Sequence, residues 1–466
     1  MTAADRSKWV FAFAVTLLVM AAPLHAANSP EDSYHLNVRI DPDSENIQVV
    51  GTVETSRVVA GAVKFTLHDT LTIKKLRVNG KRAAFTEESI VPSAMRPAAK
   101  TVTVTLPDSA SQGKIRMDVE YEGRLKHFPE WNAAPQGSPS LDDQVNARMI
   151  EIAGYSSWYP QFVFGEPIAA DFEVNLPAGW TAICSGRMTG EQKQDSRVIT
   201  HWSSPRDIDV LIAASPRYRK TALHEAGMNI ELYDTAMPRE FLDREGQQIA
   251  QVFKLYEATL GRASIPGDAV RHVYSPKQKG QGKAGIARAG LIVTSEGLTL
   301  QSLKADPKFS LFQPIAHEIA HFWWNFGAEQ GDWINEAFAE YYSAIAVQKV
   351  GSEQEFQSVL SDYEEQVRKL PSSAPSIADV AFQPGGAAFV VRYYKGALML
   401  HSFRGALGDQ AFFTASRDFF VRHSGRPTGT ADFRSFWEAK LGGRKALLSL
   451  WMDSPGGLPN PVQGTP

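Results

Sequence analysis

Two histidines four residues apart flank a carboxylate in the run His317-Glu318-Ile319-Ala320-His321. On an α-helix that spacing puts both imidazoles on one face, about one turn apart, so both can reach a single metal ion. Glu318 projects into the same cleft, where a carboxylate can take a proton from water held by the metal. A catalytic zinc ion typically takes three protein ligands and keeps one position open. The candidate for the third ligand is Glu336, in the run Trp333-Ile334-Asn335-Glu336-Ala337-Phe338-Ala339-Glu340-Tyr341-Tyr342. That run reads as a second amphipathic helix with carboxylates one turn apart. Phe322, Trp323 and Trp324 follow His321 at once, which suits a buried helix.

These residues resemble the gluzincin metallopeptidases, and among them the aminopeptidase N-like branch. That branch follows its HExxH with a helix bearing Asn-Glu-Gly/Ala-Phe-Ala-Glu-Tyr, which stands here as Asn335-Glu336-Ala337-Phe338-Ala339-Glu340-Tyr341. The resemblance implies one Zn2+ per chain, with the first Glu of the motif as third ligand. One spacing departs: the family places about eighteen residues between the second His and that Glu, whereas residues 322–335 give fourteen here. A shortened loop costs less than a shifted helix face, so Glu336 stays the ligand. Glu340 then suits a hydrogen bond from a ligand histidine. Downstream, Tyr393-Tyr394-Lys395-Gly396-Ala397 resembles the family's Tyr-x-Lys-Gly-Ala, whose Tyr stabilises the oxyanion; the matching residue is Tyr393, and a phenol donor suits that task.

A second departure lies upstream. The family carries Gly-x-Met-Glu-Asn before a Gly-Leu-Ile strand, its Glu binding the substrate's amino terminus. Here Gly285-Ile286-Ala287-Arg288-Ala289 precedes Gly290-Leu291-Ile292-Val293, and Ala287 is expected where that Glu would stand. Without the carboxylate a terminal ammonium loses its charge-assisted anchor, so aminopeptidase specificity is not carried over. Arg288 could repel an amino terminus, bind a carboxylate, or face solvent in the glycine-rich stretch from Lys277. Gly290, Leu291 and Ile292 are expected to offer a strand edge on which an extended peptide pairs.

The elements that must position these groups fall into two regions. Segments such as Tyr34–Ile40, Val102–Leu106 and Ile115–Tyr121 alternate or cluster β-branched residues, with turns at Asn79-Gly80 and Pro107-Asp108. Residues 27–225 therefore read as a β-rich domain. The family's saddle-shaped β-sandwich agrees, with Ser157-Trp158-Tyr159-Pro160 and Phe172–Pro177 resembling its later strands. Residues 226–466 read as a thermolysin-like zinc peptidase domain, with zinc helices over 313–350 and a helical lobe over 351–466. The expected class is α+β and multidomain.

The chain's 466 residues, 43% apolar, can bury substantial cores, and a net charge of −3 gives nucleic acid no support as a partner. At the amino end, Arg6 and Lys8 precede an apolar run from Trp9 to Ala22 and a small-residue exit, a secretory signal over residues 1–26. Export to a periplasmic or extracellular space is expected, with no stable membrane span once the signal is cleaved; a retained anchor is the alternative. Cys184 is the only cysteine, so no intrachain disulfide can form. Together the residues predict a zinc metallopeptidase acting on a peptide substrate. The competing readings are a zinc-binding scaffold without hydrolysis and a hydrolase of a non-peptide substrate.

Overall fold

The computed structural model describes residues 32–90, 98–106, 113–125, 143–263, 265, 269–277, 285–326, 331–381 and 386–459. The expected signal over residues 1–26 and the Pro107-Asp108 turn lie outside them.

Period-2 patterning builds the first region. The strand Asp32–Asp41 buries Tyr34, Leu36, Val38 and Ile40 and leaves the residues between them more exposed. It lies inside an eight-stranded sheet, parallel to Ile168–Pro177 on one side and antiparallel to Asn46–Thr55 on the other. Ala62–His68, Ala99–Thr105 and Ala84–Ser89 form a three-stranded sheet, and the apolar faces of both sheets enclose one core. Asn79 and Gly80 join Thr72–Val78 to Lys81–Arg82 with φ of 48° and 79°, the left-handed pair that an Asn-Gly hairpin favours. Ser157-Trp158-Tyr159-Pro160, expected as strand, is a turn: Ser157 is left-handed at φ 52°, and the Asp143 and Asp209 carboxylates take the nearby N–H groups of Ala153, Gly154 and Ser156. Side-chain acceptors replace the ladder there.

A four-stranded sheet of Thr181–Cys184, Ile212–Ser215, Met149–Ile152 and Gln144–Asn146 faces the second region. Ile183, Leu211 and Ala213 pack against Tyr233, Val273, Leu291 and Val293 of a five-stranded sheet. That sheet runs Arg219–Glu225, Met228–Asp234, Ala269–Ser275, Leu291–Ser295, Gly285–Arg288. Its first two strands are an antiparallel hairpin across the 225/226 boundary expected from sequence, so Arg219–Glu225 pairs with the sheet that carries the helices.

Helices α1 Arg239–Leu260, α2 Glu296–Ala305 and α3 Phe312–Ala320 pack on the opposite face of this sheet, and α4 Asp332–Val350, α5 Glu353–Arg368, α6 Gly386–Val390, α7 Gly396–Leu407, α8 Asp409–His423, α9 Thr430–Leu441 and α10 Ala446–Met452 build the lobe that continues the same core. A π-helical turn, Val391–Lys395, joins α6 to α7. Ser295 and Ser352 cap α2 and α5, each hydroxyl accepting a backbone N–H three residues on. Helix α4 is apolar almost all round and is accordingly buried at the centre of the core, where Phe338 stacks on Trp324 at 4.0 Å. Among the described residues no helix is long and apolar enough to cross a membrane. The architecture is the expected α+β one, a β-rich region followed by a sheet with a helical lobe.

Candidate active site and metal centre

Helix α3 turns Ile315, Ala316, Ile319 and Ala320 into the core, which leaves His317 and Glu318 on the face toward the cleft. It ends at Ala320, with His321 as its C-cap. Trp323 and Trp324 are buried in the turn that follows. The two imidazole rings lie 5.0 Å apart. The Nδ1 of His321 is 3.0 Å from the carbonyl oxygen of Trp324, and the Nδ1 of His317 is 2.7 Å from Glu340 Oε2. A carbonyl can only accept, so His321 carries its proton on Nδ1 and presents a lone pair at Nε2; the Glu340 carboxylate asks the same of His317.

Both Nε2 atoms converge on one oxygen. Glu336 Oε2 lies 3.3 Å from His317 Nε2 and 3.6 Å from His321 Nε2, and the donor atoms of the three residues all lie within 4.8 Å of one another. Ligands held tetrahedrally at about 2.0–2.1 Å from zinc sit roughly 3.3 Å apart, so the spacing suits that ion. Glu336 Oε2 is buried without a hydrogen-bond partner, which a cation would satisfy. Electrostatics point the same way. Burial lowers His317, yet the Glu336 and Glu340 carboxylates outweigh it and raise the group well above its ordinary value. Burial raises Glu336, but the two histidines together hold it low. The cluster thus favours positive charge, and the donor set fits Zn2+.

Glu318 is buried beside these donors. Burial raises its carboxyl, with the neighbouring histidines opposing the shift. Gly285 closes over it: a Cβ at that position would collide with Glu318 Oε1. Tyr393 lies parallel to His317 at 5.5 Å and against Phe389 at 4.2 Å, and burial keeps its phenol protonated. Asn335 ties the short connection together, its Oδ1 accepting the Phe326 N–H at 2.9 Å.

Three expectations need correction. Gly290, Leu291 and Ile292 do not form an edge. Gly290 is a turn at φ 70°, and Leu291–Ser295 is hydrogen-bonded on both sides, by Ala269–Ser275 and by Gly285–Arg288. The outer strand among the described residues is Gly285–Arg288, because Ala269–Ser275 takes the other side of Leu291–Ser295. Arg288 does not face solvent. It is buried, with Nε 3.1 Å from Asp209 Oδ2 and its guanidinium 5.6 Å over the Tyr155 ring, and it joins the two regions. Counted from Gly285, the Glu position of Gly-x-Met-Glu-Asn falls on Arg288, and Ala287 takes the Met position, buried in the helical core.

Several residues around the site escaped the sequence reading. Arg392 pairs with Asp332 at the start of α4, Gln313 donates to the Tyr363 hydroxyl at 2.8 Å, and Tyr394 stacks on Tyr363 at 4.8 Å. None belongs to a spacing pattern, and only the adjacency of Arg392 and Tyr394 to Tyr393 could have drawn attention to them.

Residues 284–453 match the Peptidase family M1 domain. The chain is 24% identical over 312 residues to aminopeptidase N of Streptomyces lividans, covering 61% of this chain and 35% of that protein. It is 22% identical over 430 residues to aminopeptidase 2 of Candida albicans, covering 87% and 45%. It therefore spans less than half the length of these curated relatives. The fold is similar to an M1 zinc metallopeptidase of Deinococcus radiodurans, with a TM-score of 0.70, 19% identity and coverage of 92% of this chain and 95% of that one. It is also similar to yeast LTA4 hydrolase, with a TM-score of 0.68, 13% identity and coverage of 92% and 69%. The family match and the curated relatives support the aminopeptidase N-like gluzincin resemblance, the solved structures support its fold, and the donor set of His317, His321 and Glu336 supports the zinc cofactor that goes with it.

Proposed function

We propose that the protein is an exported zinc metallopeptidase that hydrolyses peptide bonds. The observation that carries this reading is the convergence of His317 Nε2, His321 Nε2 and Glu336 Oε2 on one point with Glu318 beside them. Zinc bound there would supply a Lewis acid for the scissile carbonyl and would acidify a water. Glu318, beside that position, would hold the proton given up by the attacking water and pass it to the leaving amine, a task favoured by a carboxyl raised by burial. Tyr393 donates its hydroxyl to the oxyanion. Glu340 fixes the ring of His317, and the Trp324 carbonyl fixes that of His321. Among the described residues the Gly285–Arg288 strand is paired on one side only, and it runs past Glu318, so its backbone offers the pairing groups for an extended peptide.

The end of the cleft that would read an amino terminus carries Arg288, committed to Asp209, where the family has a carboxylate. A free ammonium therefore gains no charge-assisted anchor from that position, and cleavage does not depend on one. Support for a peptide substrate comes from a variant of the Deinococcus enzyme solved with a Tyr-Ser-Ala substrate. The basic, then apolar, amino-terminal run supports export.

The test is hydrolysis of free and N-blocked peptides by the mature protein, beside Glu318→Gln and with zinc quantified. Cleavage of both classes, lost in Glu318→Gln, is expected. One zinc per chain with no cleavage of either class would sink the peptidase reading in favour of a scaffold.

A further inference from the structure

The turn that carries Tyr393 is unusual in its backbone and in its anchors. Val391–Lys395 is π-helical, a one-residue widening that costs hydrogen-bond geometry and recurs at functional sites. Four consecutive side chains leave it for four different elements. Arg392 reaches Asp332 of α4, Tyr393 lies on His317 of α3, Tyr394 stacks on Tyr363 of α5, and Lys395 runs to the segment after α10. The first three end on groups around the metal donors. The fourth does not.

Lys395 is wholly buried, and among the described residues no carboxylate pairs with it. Its Nζ donates to the carbonyl oxygens of Ser454 at 2.6 Å and Gly456 at 2.8 Å. An ammonium buried against carbonyls alone is an expensive device for holding a helix, since an apolar side chain would pack there at less cost. What it provides is direction: two acceptors just past the end of α10 fix where the last residue of the π turn lies. The accepting segment is itself anchored, with Gly456 N–H bonded to the Ala374 carbonyl at 2.9 Å and the Gly456 backbone left-handed at φ 72°.

We propose that Lys395 is a positioning residue for Tyr393, through which the segment Ser454–Gly456 sets the tyrosine's place against His317. The inference rests on the catalytic reading of Tyr393 and deepens it. The zinc donors do not depend on Lys395, so its loss leaves the metal in place and misplaces only the oxyanion donor.

The test is Lys395→Met, which keeps the length of the stem and removes the donors, measured on the zinc-loaded protein alone and combined with Tyr393→Phe. Expected are a loss in kcat of roughly ten- to a hundredfold with KM and zinc content little changed, and no further loss when Lys395→Met is added to Tyr393→Phe. A merely structural role would instead multiply the two losses, and that outcome, or an unchanged kcat, overturns the proposal. If Tyr393→Phe alone leaves kcat intact, the failure belongs to the catalytic reading of Tyr393. Should Lys395→Met not fold, Gly456→Ala disturbs the acceptor side instead, because its Cβ meets Ser372 and Pro371 at 3.2 and 3.3 Å at a φ that disfavours alanine. It is expected to give the same kcat loss, and unchanged kcat there counts equally against the proposal.

Discussion

At the scale of single residues, the site separates groups that hold the metal from groups that work beside it. Glu318 makes no contact that the donors need, so Glu318→Gln is expected to lower kcat by at least about a thousandfold while zinc stays bound at one per chain, read by metal analysis beside peptide turnover. Glu340 acts on the metal only through His317 Nδ1. Glu340→Gln should therefore weaken zinc roughly ten- to a hundredfold, visible in competition with a chelator, and activity should return when zinc is added back. His317→Ala is expected to lose the ion outright, and no excess of zinc within a physiological range should restore turnover.

At the scale of elements, two glycines set how closely the backbone frames these groups. Gly285, on the outer strand, leaves no room for a side chain beside Glu318. Gly285→Ala should push that carboxylate aside. The expected signature is a fall in kcat with an unchanged melting temperature and full zinc content; a fall in melting temperature with kcat preserved would show that the strand moves instead. Gly396 lets α7 lie directly on α4, where a Cβ would meet that of Ala337 at 2.5 Å, one residue past the ligand Glu336. Gly396→Ala should behave as overpacking and cost about 1–3 kcal/mol in denaturant unfolding.

At the scale of the molecule, helix α1 buries a carboxyl against the sheet that supports the site, with no hydrogen-bond partner on either oxygen among the described residues. Glu245 of α1 faces His272 at 3.7 Å and Tyr274, with both carboxylate oxygens unpaired by the geometry of the packing. Burial pushes Glu245 up to about 8 and His272 down to about 3, so the imidazole is neutral and cannot balance the charge. A folded value above the ordinary 4.5 means that the native state binds a proton the unfolded chain has released. Stability from this group is thus complete at low pH, falls as pH rises from about 4.5 to about 8, and is flat beyond. Glu245→Gln should flatten the slope by this group's share and raise stability at pH 8 by a few kcal/mol, on the order that the shift implies, as urea titrations across the range would show; Asp207, which burial also raises, to about 7, leaves a residual slope of the same sign. A slope unchanged by the substitution would assign it wholly elsewhere.

The metal chemistry was legible from sequence because it is local. The spacing of His317 and His321 fixes one face of one helix, and the Asn335-to-Tyr341 motif marks the helix that answers it. The strands Asp32–Asp41 and Ile115–Arg124 were legible for the same reason, their periods being written in consecutive residues. What the tertiary structure decided is non-local. A count of eighteen residues from His321 would land on Glu340, and it is the packing of α4 on α3 that brings Glu336 to both Nε2 atoms and Glu340 to the Nδ1 of His317. Which arm of the 285–295 hairpin is the outer one depended on Ala269–Ser275, about twenty residues upstream, taking the other side of Leu291–Ser295. Arg288 is a buried tie because Asp209, far away in sequence, lies across the junction, and Lys395 reaches carbonyls some sixty residues further on. Periodicity reports which face of an element is apolar; it carries no record of which distant element will cover that face, and that choice is made by the packing of the whole chain.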